Sequence, residues 1–222
     1  SMIVCIPEVL TETELTQITQ SLANAEFVDG KQTAGWHAQP VKHNQQLPKG
    51  DGAEALKKTI SRALHRHPLF EAIARPRSIH SILISRYREG MAYGRHTDNA
   101  LMGGAKRWRS DISFTLFLNA PDTYDGGELV IEGADSEASY KLAAGSAIVY
   151  PSTTLHRVDP VQRGERLVAV GWVQSLIRDA DKREILFDLE TVKRSLFAQF
   201  GKTDEFDLLA KSVANLLRKW VE

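Results

Sequence analysis

The stretch AYGRHTDNALM carries a histidine and an aspartate two residues apart, His96 and Asp98. Side chains two apart in an extended chain project to the same side, so both can reach one metal ion. A third ligand has to return from a distant strand, and His156, which follows the run AIVYP and a short Ser/Thr turn, is the candidate. A non-haem Fe(II) oxygenase needs two imidazoles and one carboxylate on one face of the metal, with the opposite positions open for a co-substrate and O₂. On spacing alone, the alternative is a surface His-x-Asp pair and an unrelated His156.

Arg166 lies ten residues after His156 and begins the run RLVAVGWV. A carboxylate co-substrate that chelates iron at one end needs a cation for its far end, and arginine binds carboxylates bidentately. Every second side chain of a strand faces the same side. One face of this run is therefore expected to carry Arg166, Val168, Val170 and Trp172. If this face is buried, the charge of Arg166 requires a partner of opposite charge, because an unpaired buried charge is costly. The alternative is an Arg166 that simply starts the strand in solvent.

Two helices are predicted before the first strand. A capping box at Thr11 and Glu14, followed by apolar residues at helical spacing, predicts a helix over residues 11–25. A second helix is predicted over 53–66, with Pro68 ending it. The segment between them, residues 28–52, is polar and rich in glycine, so we expect no core element there.

From residue 79 the sequence changes to short runs of β-branched and apolar residues, separated by Gly, Pro, Asp and Asn. These runs predict six strands: SIHSILISRYR, DISFTLFLN (111–119), GELVIEG (127–133), ASYKL (138–142), SAIVYP (146–151) and RLVAVGWVQ (166–174). Because no long helical segments separate them, we expect an antiparallel sandwich or barrel. After Ser175 the helical pattern returns, and DEFDLLAKSVANLLRKW has one apolar face. The expected parts are a helical and loop support region (1–78), a β core (79–176) and a C-terminal helical module (177–222).

The composition narrows the class of protein. A chain of 222 residues is long enough for one large domain with a sizeable core. Acidic and basic residues number 28 each, so no net field draws the chain to nucleic acid or to an anionic membrane. The single cysteine excludes a disulfide framework and fits a reducing cytoplasm, and no apolar run is long enough to span a membrane. We therefore expect a cytoplasmic protein with neither nucleic acid nor membrane as partner.

The motifs also occur in a recognisable order. Tyr87-x-x-Gly90-x-x-Tyr93-x-x-His96-x-Asp98 is followed by GGEL (126–129), GSAIVYPS (145–152), His156 and Arg166. This set resembles the Fe(II)/2-oxoglutarate dioxygenases of the prolyl/lysyl hydroxylase superfamily. The similarity is closer to the bacterial PKHD-type hydroxylases, which share stretches like VKHNQQ (41–46), YDGGELV (124–130) and WVQSLIRD (172–179), and the helical C-terminal module. The resemblance covers nearly the whole chain.

The resemblance implies an α+β fold with a mainly β core, a double-stranded β-helix or jelly-roll, and iron at its open end. It implies that the iron ligands are His96, Asp98 and His156. Arg166 would pair with the distal carboxylate of 2-oxoglutarate, and Tyr87 matches the family tyrosine that can also reach that carboxylate. Trp172, on the face that Arg166 begins, is expected to form a wall of the pocket.

The implied reaction is the hydroxylation of a substrate, with O₂ and 2-oxoglutarate consumed, succinate and CO₂ released, and L-ascorbate as reductant. Two segments are candidates for substrate contacts: the polar segment, through Lys42, Asn44 and Gln45, and the stretch after the ligands, through Arg107, Trp108 and Arg109. Residues 99–110 contain Gly-Gly and leave the ligands directly, so they are a candidate mobile lid, the alternative being a solvated loop. Family members are often linked to iron uptake, which admits a peptide, an amino acid or a siderophore-like compound.

Two other functions compete with the hydroxylase. A non-catalytic module that responds to iron or 2-oxoglutarate can use the same fold, because a fold does not determine a function. A sensor, however, has no need for open coordination sites. A cupin-like isomerase or zinc hydrolase requires a different ligand pattern and gives Arg166 no role. The sequence leaves open whether the chain is a monomer or a homodimer, with the C-terminal helices packed on the barrel or at a dimer interface.

Overall fold

The computed structural model describes residues 2–222, and two antiparallel β-sheets form its centre. The helices are α1 (Glu12–Ala23), α2 (Asp51–Arg66), α3 (Pro68–Ala74), α4 (Ala180–Phe200) and α5 (Asp204–Trp220). The strands are β1 (Val4–Ile6), β2 (Val28–Asp29), β3 (Lys42–His43), β4 (Gln45–Gln46), β5 (Pro76–Tyr87), β6 (Ala92–His96), β7 (Leu101–Met102), β8 (Trp108–Arg109), β9 (Ile112–Phe117), β10 (Tyr124–Gly126), β11 (Leu129–Glu132), β12 (Glu137–Tyr140), β13 (Ala147–Pro151), β14 (His156–Val158), β15 (Val161–Gly164) and β16 (Arg166–Ser175).

The larger sheet has seven strands in the order β1-β13-β9-β16-β5-β4-β2, and the smaller has five in the order β12-β11-β14-β6-β3. The pairs β10-β15 and β7-β8 form two further antiparallel two-stranded sheets, and β7-β8 is a hairpin. Neighbouring strands of the large sheet are far apart in sequence, so the chain crosses repeatedly between the two sheets. This is the jelly-roll arrangement that the sequence predicts.

The two faces of the large sheet enter different cores. On β13, Ala147 and Val149 pack with the helices α1 to α3, whereas Ile148 and Tyr150 pack against residues of the small sheet. The alternation follows from the period of two along a strand. The inner core between the sheets is therefore separate from the outer core beneath the helices.

The helices before the first long strand form where the sequence predicts them. Thr11 caps α1 with both bonds of a capping box, and Ile18 and Leu22 are buried. Helix α2 ends at Arg66, two residues before Pro68, and buries Ile60 and Leu64. Pro68 does more than end α2, however, because it is the first residue of α3, where its missing N–H and fixed φ are favourable.

The expectation that residues 28–52 hold no core element is wrong. Strand β3 pairs with β6 of the small sheet, and β4 pairs with β5 of the large sheet, so this segment joins both sheets. Its side chains Lys42, Asn44 and Gln46 are buried. Polarity misled the prediction because Lys42 and Asn44 line a cavity and Gln46 is hydrogen-bonded to Thr33, so none of the three needs an apolar environment to be buried. The division of the chain at residues 78 and 176 stays a prediction.

The C-terminal helices form a hairpin with a small core of its own. Ile177, Leu186 and Val213 are buried there, and the partly buried Leu216 and Trp220 pack against them. Helix α4 also contacts α3. The bounds of α5 agree with the predicted helix. Within residues 2–222, no helix has the length and hydropathy required to cross a bilayer.

A β-bulge interrupts the longest strand pair. Val170 pairs with Leu83 and Trp172 with His80, so Ser81 and Ile82 of β5 stand opposite the single residue Gly171. Ser81 has φ +57°, a left-handed conformation that costs a residue with a Cβ about 1 kcal/mol. The extra residue shifts the alternation of side chains along β5 by one position. His80 and Leu83, three residues apart, therefore both line the cavity between the sheets.

Gly171 leaves no space for a side chain, which gives a test of the packing at the bulge. A Cβ at this position would lie 2.5 Å from Cζ and 2.8 Å from Cε1 of the buried Phe114. Gly171→Ala is expected to lower the free energy of unfolding by about 1–3 kcal/mol through overpacking, measured by urea denaturation. The control is Gly52→Ala, where no atom lies within 4 Å and no loss is expected. Equal stability of both variants would contradict the close packing.

Candidate metal centre and active-site cavity

Three potential metal ligands meet where the small sheet faces the large one. His96 ends β6 and His156 begins β14, and the two are direct cross-strand partners. Asp98 lies just past the end of β6, and its Oδ1 is 3.5 Å from His96 Nε2 and 3.4 Å from His156 Nε2. One donor atom from each residue lies within 4.8 Å of the other two. The fold thus brings together the three side chains that the motif spacing singles out.

The backbone selects the tautomer of both imidazoles. His96 Nδ1 lies 2.7 Å from the carbonyl oxygen of Gly94, and His156 Nδ1 lies 3.0 Å from that of Thr154. A carbonyl only accepts, so each Nδ1 carries the proton and donates it. With that proton on Nδ1, the Nε2 of each ring faces the site, and Nε2 is the nitrogen that a metal would bind.

The carboxylate of Asp98 is divided between two tasks. Its Oδ2 accepts hydrogen bonds from Ser113 Oγ at 2.6 Å and from Trp172 Nε1 at 2.9 Å. Its Oδ1 faces the two imidazoles. Burial alone would raise the pKa of Asp98, but the interactions with His156, His96 and Ser113 hold that pKa well below its ordinary value. The donor set is therefore two imidazole nitrogens and one carboxylate, which fits a divalent metal with further positions open.

Aromatic rings hold the two histidines in place. The ring of Tyr93 stacks on His96 at a centroid distance of 3.7 Å, and Tyr150 meets His156 nearly edge-on at 5.2 Å. Both tyrosines line the cavity beside the ligands. Packed rings of this kind limit the rotation of the imidazoles and keep both Nε2 atoms directed inward.

Arg166 is a buried cation without an acidic partner. Its exposed fraction is 1%, which makes it the largest fully buried side chain among residues 2–222, and its Nε has no hydrogen-bond partner. Among residues 2–222, no carboxylate lies within the 4.0 Å of an ion pair with it. Its guanidinium carbon lies 4.9 Å from the centre of the Tyr87 ring and 5.7 Å from that of Phe117. A buried charge with such surroundings is costly unless a ligand pairs with it.

Polar atoms near Arg166 also lack partners. Asn44 Oδ1 and Tyr124 Oη are buried without a hydrogen bond. Burial raises the pKa of Tyr87, while Arg166 and Asn44 oppose that rise, so the Tyr87 hydroxyl stays protonated and available as a donor. Of these groups, Arg166 and the Tyr87 hydroxyl line the cavity, so their free donors are available to a ligand there.

One cavity of about 700 Å³ contains the ligand triad, Tyr87 and Arg166. A volume of this size is that of a typical small-molecule site. Its outer wall comes from three places: the segment 33–38, the hairpin of β7 and β8, and the bulge of β5. The Cβ of a residue at Gly35 would lie 2.8 Å from Asn99 Oδ1, so the segment 33–38 lies against the stretch just before β7.

The structure separates the predicted substrate residues into two groups. Lys42, Asn44, Trp108 and Trp172 line the cavity. Gln45, Arg107 and Arg109 do not line it. Gln45 Oε1 accepts from Arg86 Nε at 2.9 Å on the other side of β4, and Arg109 pairs with Asp111 at 2.8 Å.

The reason for this separation is the alternation of neighbouring side chains along a strand. Trp108 faces the cavity, so the residues on either side of it face away. Arg107 is exposed to solvent. The hairpin turn contains Gly103 and Gly104 at φ +94° and +64°. The idea that residues 99–110 act as a mobile lid stays a prediction.

Sequence reasoning missed Ser113, His80 and Thr33. Ser113 is one of two polar residues, with Thr115, in the fully buried strand β9, and their contrast with the apolar neighbours is the signal that could have found it. His80 reaches the cavity only because of the bulge, and it stacks near Trp108 at 6.2 Å. Thr33 is brought to the cavity by a 3₁₀ turn, Gly30–Thr33, which no local pattern indicates.

Comparison with known proteins places this architecture in a family. The model of the 2OG-Fe(II) oxygenase superfamily matches residues 82–174, which include the triad and Arg166. A PKHD-type hydroxylase of Gloeothece citriformis is 63% identical over 221 residues, covering 100% of both chains. One of a Picosynechococcus species is 66% identical over 218 residues, covering 98% of each chain. The chain belongs to the PKHD-type hydroxylases.

Solved structures agree on the fold of this PKHD-type hydroxylase. A prolyl-4-hydroxylase of Pseudomonas putida has a TM-score of 0.52 at 22% identity, covering 78% of this chain and 92% of its own. A prolyl hydroxylase of Trichoplax adhaerens, solved with a hypoxia inducible factor peptide fragment, has a TM-score of 0.57 at 15% identity, covering 83% and 86%. The jelly-roll prediction is therefore confirmed. Membership of the family makes the chain a 2-oxoglutarate-dependent dioxygenase, with Fe(II) and O₂ implied.

The hydrogen bond from Trp172 to Asp98 yields a prediction about metal affinity. Trp172→Phe keeps an aromatic wall but removes the donor to Asp98 Oδ2, so Oδ1 is no longer fixed towards the histidines. Loss of such an outer hydrogen bond is expected to weaken Fe(II) binding about 10- to 100-fold, measured by competition with a chelator under anaerobic conditions. Trp108→Phe is the matched control, because Trp108 lines the same cavity and makes no bond to Asp98. The idea fails if both variants bind Fe(II) as the wild type does.

Proposed function

We propose that the chain hydroxylates a small-molecule or peptide substrate, with Fe(II) held by His96, Asp98 and His156 and 2-oxoglutarate held by Arg166. When bound, the iron supplies the oxidising chemistry that turns 2-oxoglutarate and O₂ into succinate, CO₂ and a hydroxylated product. The observation that carries the proposal is the unpaired guanidinium of Arg166, buried in the same cavity as the triad. A dicarboxylate that chelates at one end supplies the missing charge at the other.

The residues around the co-substrate have distinct tasks in this proposal. Arg166 orients the distal carboxylate, and the Tyr87 hydroxyl donates a further hydrogen bond to it. Phe117 and Val168 close the inner end of the pocket to water, because both are fully buried beside Arg166. Ser113 and Trp172 hold Asp98 so that one of its oxygens stays directed at the metal. Each of these groups is in place before any ligand arrives, which lowers the cost of binding.

The substrate has to enter past the segment 33–38 and the hairpin of β7 and β8. In this proposal Lys42, Asn44, Trp108 and Trp172 contact it, since these four of the predicted residues line the cavity. L-Ascorbate is proposed as the reductant and the cytoplasm as the location, where the single cysteine stays reduced. A role linked to iron uptake, in a monomer or homodimer that binds neither nucleic acid nor membrane, completes the proposal.

Removal of a metal ligand tests the proposed reaction. His96→Ala or Asp98→Ala is expected to reduce the conversion of 2-oxoglutarate to succinate to the level without enzyme, because the remaining two ligands hold Fe(II) too weakly. Succinate is measured in the presence of Fe(II), ascorbate and O₂. The matched control is His65→Ala, an exposed histidine of α2 that pairs only with Glu71. Undiminished succinate formation by His96→Ala would reject the assignment of the ligands.

A product search distinguishes an enzyme from a binding module on the same fold. Cell extract is incubated with Fe(II), ascorbate and 2-oxoglutarate, and masses increased by one oxygen atom are compared between the wild type and His96→Ala. Succinate formed together with such a product supports the hydroxylase. Binding of 2-oxoglutarate with neither succinate nor product would support the module.

Replacement of Arg166 tests the binding of the co-substrate apart from that of the metal. Arg166→Met removes the charge and keeps much of the volume, and it is expected to weaken 2-oxoglutarate binding by about 2–5 kcal/mol, measured by titration calorimetry. Fe(II) affinity should not change. Without 2-oxoglutarate the variant should be at least as stable as the wild type, since a buried unpaired cation is gone.

The matched control for this variant is Arg95→Met, whose arginine is exposed and pairs with Glu132 on the outside of the small sheet. It should leave 2-oxoglutarate binding unchanged. An Arg166→Met enzyme that binds 2-oxoglutarate as tightly as Arg95→Met does would remove Arg166 from the proposal.

A further inference from the structure

The cavity is lined by more positive charge than the proposed co-substrate requires. Besides Arg166, the lysines Lys42, Lys49 and Lys57 line it. Among residues 2–222, Asp98 is the one acidic side chain in its wall. Lys57 has an acidic neighbour, Glu54 at 3.4 Å, and Lys49 is exposed at the mouth, so water and Glu54 stabilise these two. Lys42 has neither advantage.

Lys42 is a buried ammonium group without an ion pair. Its exposed fraction is 5%, and no carboxylate lies within 4.0 Å of Nζ. Nζ donates one hydrogen bond, to Thr33 Oγ1 at 3.1 Å, and lies 5.3 Å from the centre of the Tyr93 ring. An ammonium group has three donors, so two are left for another partner. Burial lowers the pKa of Lys42 to about 8, although Asp98 and Asp29 oppose that shift.

The position of Lys42 relates it to the metal centre. Lys42 on β3 is the cross-strand partner of Tyr93 on β6, and the Tyr93 ring stacks on His96. Thr33 fixes the ammonium group from the other side, since its hydroxyl also lies 2.7 Å from Gln46 Oε1. The charge is thus held beside the ligands by contacts that do not neutralise it.

The reagents of the proposed reaction leave this charge uncompensated. A divalent iron, the carboxylate of Asp98, the two carboxylates of 2-oxoglutarate and the guanidinium of Arg166 together sum to zero. One carboxylate of 2-oxoglutarate is needed by Arg166, and the other belongs to the end that chelates iron. A negative group for Lys42 therefore has to come from a further molecule, because a buried cation without a counter-charge is costly.

We propose that the substrate is a carboxylic acid whose carboxylate pairs with Lys42. The inference rests on the proposed function and names the substrate class of that site. The two free donors of Lys42 bind the carboxylate, which places the rest of the substrate beside the metal. Lys49 and Lys57 at the outer wall attract the anion towards the mouth.

The test uses acetate as probe and acetamide as its uncharged match. The enzyme is loaded with Mn(II), which is paramagnetic, and saturated with 2-oxoglutarate. The relaxation rate of the probe's methyl protons then reports how much time the probe spends near the metal. We expect the enzyme to increase the acetate rate severalfold more than the acetamide rate, and Lys42→Met to abolish that difference. Lys211→Met, the same change at an exposed position of α5, should preserve it. Lys42→Gln replaces Lys42→Met if the latter is not folded by circular dichroism.

Two outcomes overturn the proposal. Equal rates for acetate and acetamide in the wild type would show that the cavity does not select anions, and an acetate effect that survives in both Lys42 variants would place the acetate elsewhere. A third arm measures 2-oxoglutarate binding by calorimetry, where the Lys42 variants should stay within a factor of about three of the wild type, well under the ~1.4 kcal/mol of a tenfold change. A loss of tenfold or more would assign Lys42 to the co-substrate and also overturn the proposal.

The same experiment keeps the proposed function separate. If the wild-type enzyme does not bind 2-oxoglutarate at all, the proposed function fails. The comparison of acetate with acetamide, repeated with Mn(II) alone, then still decides whether Lys42 selects an anion.

Discussion

The carboxylate of Asp98 is held by both sheets at once, and the arrangement of the site depends on it. From the small sheet, His96 and His156 approach Oδ1, and from the large sheet Ser113 and Trp172 donate to Oδ2. One short side chain thereby joins two layers that have no strand in common. Because the bonds on Oδ2 come from strands β9 and β16, the position of Oδ1 is determined by the packing of the sheets and not by the loop that carries Asp98.

The cavity beside Asp98 keeps two buried cations without counter-charges, Arg166 and Lys42. Each would lower the stability of the free protein, because neither desolvated charge is compensated by an ion pair. Apolar residues at these positions would fold at least as well. This loss of stability is explained if ligands supply the negative charges. Binding sites often lower the stability of the free protein in this way, because their groups are arranged for the ligand.

The bulge in β5 has a comparable role in the outer wall. It holds Ser81 at φ +57° and brings His80 to the face shared with Trp172. Backbone strain of this kind persists where the surrounding structure over-determines it. Here the close contact of Gly171 with Phe114 and the pairing on either side of the bulge supply that constraint.

Local pattern was sufficient for the elements whose environment is uniform. The capping box at Thr11 predicts the start of α1 from four residues alone. Periodicity was sufficient for α5, which packs one apolar face, and an apolar run was sufficient for the buried strands β9 and β13. It failed for residues 28–52, because β3 and β4 are short and polar and pair with strands that lie about forty to fifty residues away in the sequence. No window of the sequence contains both partners.

For the site, the sequence determined which groups are able to bind a metal and a carboxylate: His96, Asp98, His156 and Arg166 have those chemistries in any fold. The tertiary structure decided which of these groups have no counter-charge and which hydrogen bonds hold the metal ligands in place. Ser113 and Trp172 reach Asp98 because the two sheets pack against each other. Arg166 and Lys42 are buried at positions where no carboxylate forms an ion pair with them, and the sequence does not show this. The spacing of residues along a chain records the period of its strands, whereas hydrogen bonds and desolvation depend on distances through space between residues far apart in sequence.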